Sequence, residues 1–285
     1  MKREKTTAAI LFLATIATTI MAGYYFSLPI VEAGSMKNIW WGCISFSAAL
    51  MLILGCHEMG HKLTSMRYGI HATPPYFIPL PSLAMFGIDF VTLGTLGAII
   101  KIKSPLPDDD AAIDMGLNGP IAGFLVALPV TVVGLILSVR SPTPPAIDFT
   151  FGKSLILYIL SLLLAPGGEG YIVWHPIVYA GWVGFFITAL NLIPVGQLDG
   201  GHVARAIIGR RRFRTFSWVV IIMLAFLGYF HYVWWVWTVL AILLTFRGYP
   251  RVMNEFEPLS AEKKRKALIG LILFILCFIP VPIRV

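Results

Sequence analysis

The segment His57-Glu58-Met59-Gly60-His61 combines residue types that can bind a metal ion and activate water. On an α-helix, residues four apart differ by only about 40° around the axis, so both imidazoles can face one ion. Glu58 then lies at the flank, where its carboxylate could take a proton from water on that ion. The alternative is a polar helix end without metal. It is disfavoured because burying these groups without a partner would be costly.

A catalytic zinc site normally has three protein ligands and an open fourth position. Of the 14 acidic residues, only Glu58 and Asp199 lie within strongly apolar segments. A carboxylate in such a position costs several kcal/mol in hydrocarbon, which makes it a functional candidate. We therefore expect His57, His61 and Asp199 to bind one zinc ion per chain. The other acids, Asp114 among them, are expected in solvated loops or at helix N-termini.

The composition excludes an ordinary soluble domain. The chain has 285 residues, of which 58% are hydrophobic and 13% charged, whereas soluble domains carry about 25% charged residues. Disorder requires low hydrophobicity and is excluded as well. The three cysteines lie in apolar runs and are expected to be buried side chains, not disulfides. The net charge of +8 indicates cytoplasmic loops of a membrane protein, and no nucleic-acid partner is expected.

Apolar segments of about 20 residues predict the membrane crossings. The candidates are Thr6–Ile30, Ile39–Gly55, Met115–Val139, Tyr171–Pro194, Phe216–Phe246 and Ala267–Ile283. We interpret the first as a retained span, because its apolar stretch exceeds that of a signal peptide. Phe216–Phe246 is too long for one crossing and predicts two helices with a turn near Gly228–Tyr232. Ser154–Ala165 is too short, and we expect a re-entrant or interfacial helix there.

Seven crossings with a cytoplasmic N-terminus place most lysines and arginines inside. The four basic residues left outside are Lys37, Arg140, Lys153 and Arg284. We therefore expect a multi-pass protein of a prokaryotic cell membrane. In this orientation the spans that carry His57 and Asp199 both run from outside to inside, so the two residues should reach similar depth.

The segment from Phe77 to Lys103 is rich in β-forming residues punctuated by glycines. Val91–Lys103 predicts one or two strands. Such a sheet could offer an edge to an extended peptide, or it could only cover the site. The expected fold is an all-α polytopic membrane protein with about seven transmembrane helices around a three-helix catalytic core. A small membrane-associated β-sheet would follow the second helix.

Three motifs together resemble the site-2 proteases, the intramembrane zinc metallopeptidases of peptidase family M50. The matching segments are His57-Glu58-Met59-Gly60-His61, Asn118-Gly119-Pro120-Ile121-Ala122-Gly123 and Asn191 through Asp199-Gly200, in the family's order. The resemblance implies that His57, His61 and Asp199 ligate zinc and that Glu58 is the catalytic base. It also implies that Asn191 holds the substrate or stabilises the oxyanion. It covers roughly Ile39 to His202.

The resemblance implies one membrane-embedded peptidase domain over residues 1–285. Within it, residues 1–38 form a first span and loop, 39–202 the catalytic core and 203–285 the C-terminal helices. The expected activity is hydrolysis of a peptide bond in or next to a transmembrane segment. The expected partners are a transmembrane protein substrate and membrane lipids, and the oligomeric state stays open. Because a helix hides its peptide bonds, the substrate must unwind locally before it is cut.

Two other functions could use the same residues. A metal-ion transporter could bind its cargo with the His and Asp cluster, although no internal repeat typical of transporters is visible. A catalytically inactive membrane scaffold would need a broken motif, and every expected catalytic residue is present. Of the remaining histidines, His71, His175 and His231 are expected at the surface or the membrane interface. His202 follows Asp199 by three residues and could orient its carboxylate.

Overall fold

The computed structural model describes residues 2–81, 92–145, 150–248, 252–254 and 258–284. The helices are α1 (Lys2–Glu32), α2 (Ile39–Arg67), α3 (Asp109–Ile136), α4 (Leu155–Leu164), α5 (Pro176–Asn191), α6 (Asp199–Ile208), α7 (Arg210–Phe230), α8 (Val233–Phe246) and α9 (Ala261–Cys277). The strands are β1 (Tyr76–Pro79), β2 (Thr95–Ile99), β3 (Leu106–Asp108), β4 (Val139–Ser141), β5 (Thr150–Phe151), β6 (Tyr171–Val173), β7 (Val252–Asn254) and β8 (Ile283–Arg284).

Within the described residues, four helices are long and apolar enough to cross a membrane. They are α1, α2, α3 and α7, and shorter apolar helices follow at α4, α5 and α8. Large apolar side chains remain exposed on the outer faces, as Ile222, Met223 and Phe226 do on α7. In water such faces would be unfavourable, whereas lipid solvates them well. The chain is therefore a mostly helical membrane protein.

The long apolar segment Phe216–Phe246 forms two helices, as the length argument predicts. α7 ends at Phe230 and α8 begins at Val233. The reversal is tight, because Gly228 packs directly against the ring of Trp235. The short segment is also confirmed as a short helix, since α4 has 10 residues.

Several predicted span boundaries are wrong. The segment predicted from Tyr171 begins as a strand, because β6 pairs antiparallel with β4. Helix α5 starts at Pro176, where the imidazole of His175 accepts a hydrogen bond from the Ile177 amide and caps the helix. The last segment is helical only to Cys277, and Ile283 pairs with Phe151 instead. In both segments the backbone N–H and C=O groups bond to a neighbouring strand and not within a helix. Hydropathy alone does not reveal this difference.

The core consists of α2, α3 and α5, with α1 packed against α2. Small residues allow the helix backbones to approach closely. Gly134 of α3 lies against the backbone of Val178, and Gly184 of α5 lies against Ile53 and Ala127. Helices α6 and α9 then pack on α3 from the other side.

The predicted strand after α2 is confirmed at β2, which pairs antiparallel with β1. Val91, where the prediction began, lies outside the described residues. The sheet is held against α1 by the Thr18 hydroxyl, which donates a hydrogen bond of 2.6 Å to the Gly94 carbonyl. Gly94 has a φ of 80° and touches the backbone of Thr19, so a side chain would fit neither the conformation nor the space.

Candidate metal centre

Helix α2 carries the histidine pair and the glutamate. It is helical without a break from Ile39 to Arg67, and the Asn38 side chain caps its start by accepting from the Trp40 amide. His57, Glu58 and His61 are all buried, Glu58 to the extent that only 4% of it is exposed. The helical spacing brings the two Nε2 atoms to 3.1 Å from each other. The predicted sharing of one helix face is confirmed.

Asp199 reaches this pair through a reversal of the chain. α5 ends at Asn191, and Asp199 is the first residue of α6, not the last residue of the preceding span. This reversal needs one glycine in the turn and a second at the start of α6. Gly196 has a φ of 53°, and Gly200 lies directly against the Leu192 carbonyl, which leaves no space for a side chain.

The three candidate ligand atoms form a nearly equilateral triangle. The Asp199 Oδ2 atom lies 3.5 Å from His57 Nε2 and 3.3 Å from His61 Nε2, and 3.1 Å separates the two nitrogens. Ligands at the usual zinc distances in a tetrahedron are about 3.4 Å apart. The structure thus brings the three predicted ligands together with the spacing of a zinc site.

The hydrogen bond of His61 leaves its Nε2 free for a metal ion. His61 Nδ1 lies 2.8 Å from the Met115 carbonyl, an acceptor, so the proton of a neutral His61 is on Nδ1. The Asn191 side-chain nitrogen lies 3.1 Å from His57 Nε2, beside the same space. Two imidazole nitrogens and a carboxylate oxygen are ligands that zinc commonly binds. The residues present therefore fit a bound zinc ion.

Helix α3 shapes the space around the pair. Gly119 lies so close to the His61 ring that a β-carbon there would overlap it. Gly60, inside the metal motif, lies equally close to the Asn118 backbone. The Asn118–Gly123 motif therefore serves helix packing, because only glycine permits α2 and α3 to approach this closely at the level of the histidines.

A cavity of about 170 Å³ opens beside the three ligands. One wall comes from the sheet, through Ala98, Ile99 and Ile100 of β2 and its continuation. Glu58, Asn191 and His202 also line it. The glutamate, the metal ligands and a strand thus face one space that can hold water and a short peptide segment.

The four histidines outside the proposed metal site differ in burial and in their contacts. His202 is buried and lines the cavity, and its Nδ1 has no hydrogen-bond partner among the described residues. His175 was expected at the surface but is buried as the cap of α5, and burial lowers its pKa. His71 is exposed and His231 only partly buried.

The sequence argument missed two residues that support the site. The Met115 carbonyl holds His61, but a backbone group has no sequence signal. Asp114 was expected in solvent and is fully buried, bonded to Lys263, Lys266 and Tyr68. Lys263 and Lys266, three residues apart on a helix that is otherwise largely apolar, could have indicated the burial of Asp114. Buried lysines need an acidic partner.

This helical membrane protein brings two buried histidines and a partly buried aspartate together beside a glutamate, which is the residue set of an intramembrane metal site. Residues 45–230 match the description "Peptidase family M50". The match includes all three candidate ligands, Glu58 and Asn191. The chain belongs to peptidase family M50.

Two curated relatives of this chain bear zinc metalloprotease names. The chain is 29% identical to "Probable zinc metalloprotease EGY1, chloroplastic" of Arabidopsis thaliana, over 96% of this chain and 53% of that protein. It is 32% identical to "Probable zinc metalloprotease EGY2, chloroplastic" of the same plant, over 56% of this chain and 28% of that protein. The chain thus spans about half the length of the first relative.

Among solved structures, the chain matches "Site-2 Protease from Methanocaldococcus jannaschii" at 17% identity. The TM-score is 0.35, and the match covers 86% of this chain and 92% of that one.

Proposed function

We propose that this chain is a zinc metalloprotease that cuts a peptide bond in or next to a transmembrane segment of another membrane protein. The observation that carries the proposal is the triangle of three potential metal-ligand atoms, 3.1 to 3.5 Å apart, beside the buried Glu58. Membership of peptidase family M50 supports it. The metalloprotease names of the plant relatives point the same way.

His57, His61 and Asp199 would hold the zinc ion. When bound, zinc acts as a Lewis acid and makes water a nucleophile near neutral pH. Glu58 accepts the proton of the attacking water and later delivers it to the leaving amine, so one carboxylate serves as base and then as acid. Its position one residue from His57 keeps it on the cavity wall for both steps.

Asn191 is the candidate for stabilising the oxyanion. Its amide nitrogen lies 3.1 Å from His57 Nε2, at the rim of the proposed metal position. A substrate carbonyl oxygen in the cavity could accept a hydrogen bond from this donor as negative charge develops on it. Asn191 is the last residue of α5, so the same helix end positions the donor and begins the turn to Asp199.

The substrate is expected to bind as an extended segment. Strand β2 lines the cavity, and among the described residues it pairs only with β1. Its other edge can offer main-chain hydrogen bonds to an added strand without demanding a particular sequence. This favours substrates whose helix is weakened near the cut, because unwinding must precede strand pairing.

The proposed topology has seven crossings: α1, α2, α3, α5, α7, α8 and α9. The N-terminus is cytoplasmic, because this orientation places most basic residues inside. Residues 1–285 form one membrane-embedded peptidase domain around the 39–202 core. The names of the plant relatives place those proteins in the chloroplast, and a prokaryotic cell membrane for this chain stays a prediction.

The decisive experiment compares variants purified in detergent, with zinc quantified and a single-pass membrane protein as test substrate. Glu58→Gln should keep one zinc per chain and lose cleavage by about 10²- to 10⁴-fold, the usual contribution of a general base. Glu169→Gln, in an exposed loop, is the matched control and should behave as wild type. Cleavage that persists in Glu58→Gln would contradict the role of Glu58 as the base, and a zinc-loaded wild type that cuts no test substrate would contradict the protease. Zinc flux into liposomes that contain the purified protein, if Glu58→Gln leaves it intact, would favour a transporter.

A further inference from the structure

A second polar cluster lies beside the metal centre and is built around Asp114 of α3. The Asp114 carboxylate accepts its hydrogen bonds and has no exposed surface. Lys263 donates to Asp114 Oδ2 at 2.7 Å, Lys266 donates to Oδ1 at 2.5 Å, and the Tyr68 hydroxyl donates to Oδ2 at 2.7 Å. We call these four residues the Asp114 cluster. It joins α3 to the start of α9 and to the residue that follows α2.

The Asp114 cluster holds α9 in place by charge. Lys263 and Lys266 are three residues apart, so they lie on the same face of α9. A buried lysine is costly without an acidic partner, and Asp114 is that partner for both. Burial and the neighbouring Asp114 raise the pKa of the Tyr68 hydroxyl, which therefore stays a donor. α9 lies outside the residues 45–230 that match the family.

A chain of hydrogen bonds continues from α9 to the metal helix. The Lys266 amine also donates to the Asn118 side-chain oxygen at 2.5 Å, and the Asn118 amide donates to the Thr64 hydroxyl at 2.7 Å. The Thr64 hydroxyl donates in turn to the Gly60 carbonyl at 2.8 Å. Lys266 thus fixes which end of the Asn118 amide faces α2, and Asn118 holds the turn of α2 that contains His61.

The same stretch of α3 also contacts His61 directly. Met115 lies between Asp114 and Asn118 on one turn, and its carbonyl accepts the His61 Nδ1 proton. This bond sets the tautomer and leaves Nε2 free to bind metal. Any shift of α3 along α2 would lengthen the bond, and the ion pairs to α9 oppose such a shift.

We propose that Asp114 and Lys266 are positioning residues for the metal centre. Through Asn118 and Met115, they hold α3 in the register that orients His61. The C-terminal helix α9, outside the matched family region, thereby becomes part of the machinery that shapes the site. This inference rests on the proposed zinc site.

The test measures metal binding as well as activity. Lys266→Met and Asp114→Asn should weaken zinc binding by about 10- to 100-fold, the usual effect of losing a group that orients a ligand. The d–d absorption of the Co²⁺-loaded protein should change, because the His61 geometry changes. Cleavage should lose kcat with little change in KM. Lys266→Arg should restore part of each effect, since it keeps the charge and the donors.

The matched control is Lys264→Met, which removes a lysine of the same helix from an exposed position. It should match wild type in zinc affinity and in the Co²⁺ spectrum. A merely structural role predicts a lower melting temperature of the metal-free protein with unchanged zinc affinity and spectrum, and that result overturns the proposal. A wild type that binds no zinc would instead overturn the proposed function.

A double-mutant cycle keeps the proposal testable if Asp114→Asn does not fold. Lys266→Met and Thr64→Val each remove one end of the path through Asn118. If both act through that path, the zinc affinity of the double variant should be about that of the single variant with the lower zinc affinity. Effects on zinc affinity that simply multiply would show that Lys266 does not act through Asn118.

Discussion

Two polar clusters lie against the same stretch of α3, and they are built in opposite ways. In the first, the side-chain atoms of His57, His61 and Asp199 that could bind a metal converge on one space. In the second, two ammonium groups and a hydroxyl surround the Asp114 carboxylate. The first cluster has the donor set of a metal site, whereas the second already pairs its carboxylate with cations from the chain. Burial by itself therefore does not mark a ligand site, but the balance of donors and acceptors does.

The largest expected effect comes from removing a ligand of the first cluster. Asp199→Ala should lose bound zinc and all cleavage, because two imidazoles alone form an incomplete site. Zinc at about 1,000 times its Kd stabilises a folded protein by about 4 kcal/mol. A chelator should therefore lower the melting temperature of wild type and leave that of Asp199→Ala unchanged. The measurement is zinc content together with thermal unfolding in detergent.

Glu169→Gln serves as the control for Asp199→Ala, because it also removes one negative charge but from an exposed loop. It should keep the chelator response of wild type. Wild-type zinc content in Asp199→Ala would mean that another group completes the site.

The next effect concerns the donor at the rim of the first cluster. Asn191→Ala should reduce kcat by about 10²- to 10³-fold, the usual loss for one oxyanion donor. Zinc content should stay near one per chain, because Asn191 supplies no ligand. Steady-state kinetics on the single-pass substrate would check this. A change confined to KM would assign Asn191 to substrate binding instead.

In the second cluster, the expected effect depends on which charge is removed. Asp114→Asn should destabilise the protein by about 3 kcal/mol, because two lysines then face each other without an acid. This is the low end for buried pairs, since the Lys266 side chain is 19% exposed. Lys263→Met should cost less, because Lys266 still balances Asp114. Denaturant unfolding in detergent would give the ranking.

The same charge balance predicts the stability of a double variant. Adding Lys263→Met to Asp114→Asn should recover part of the lost stability, since it removes one uncompensated charge. If the two losses simply add, the lysines are solvated in the variant and the balance of charge is not what stabilises the cluster.

The smallest expected effect is the pH dependence of stability that comes from the buried His175. Burial lowers the pKa of His175 in the folded protein, so the unfolded chain binds the proton more readily. Stability should therefore fall as the pH decreases below about 6.5, the usual histidine pKa. His175→Asn keeps a capping acceptor but cannot be protonated. Unfolding followed from pH 8 to pH 5 should show a larger loss of stability in wild type than in His175→Asn.

Every other titrating group is shared by wild type and His175→Asn, so the difference between their pH profiles isolates this residue. Parallel profiles would show that the pKa of His175 is the same in the folded and the unfolded chain, which contradicts the effect of burial.

The features that the sequence predicted well are local. The His57–His61 spacing needs only the period of one helix. The division of Phe216–Phe246 followed from its length against the thickness of a bilayer. The predicted start of α5 failed because β6 pairs with β4, a non-local contact that hydropathy does not report.

By itself, the sequence determined the membrane class, the helix that carries the histidine pair, and the three residue types that could bind zinc. Only the tertiary structure decided that Asp199 completes the triangle, because a glycine-dependent turn had to reverse the chain after Asn191. It also decided that Asp114 is buried, since its lysine partners come from a helix 149 residues further along. Local spacing fixes which groups share a helix face, whereas the balance of buried charges depends on packing between distant segments.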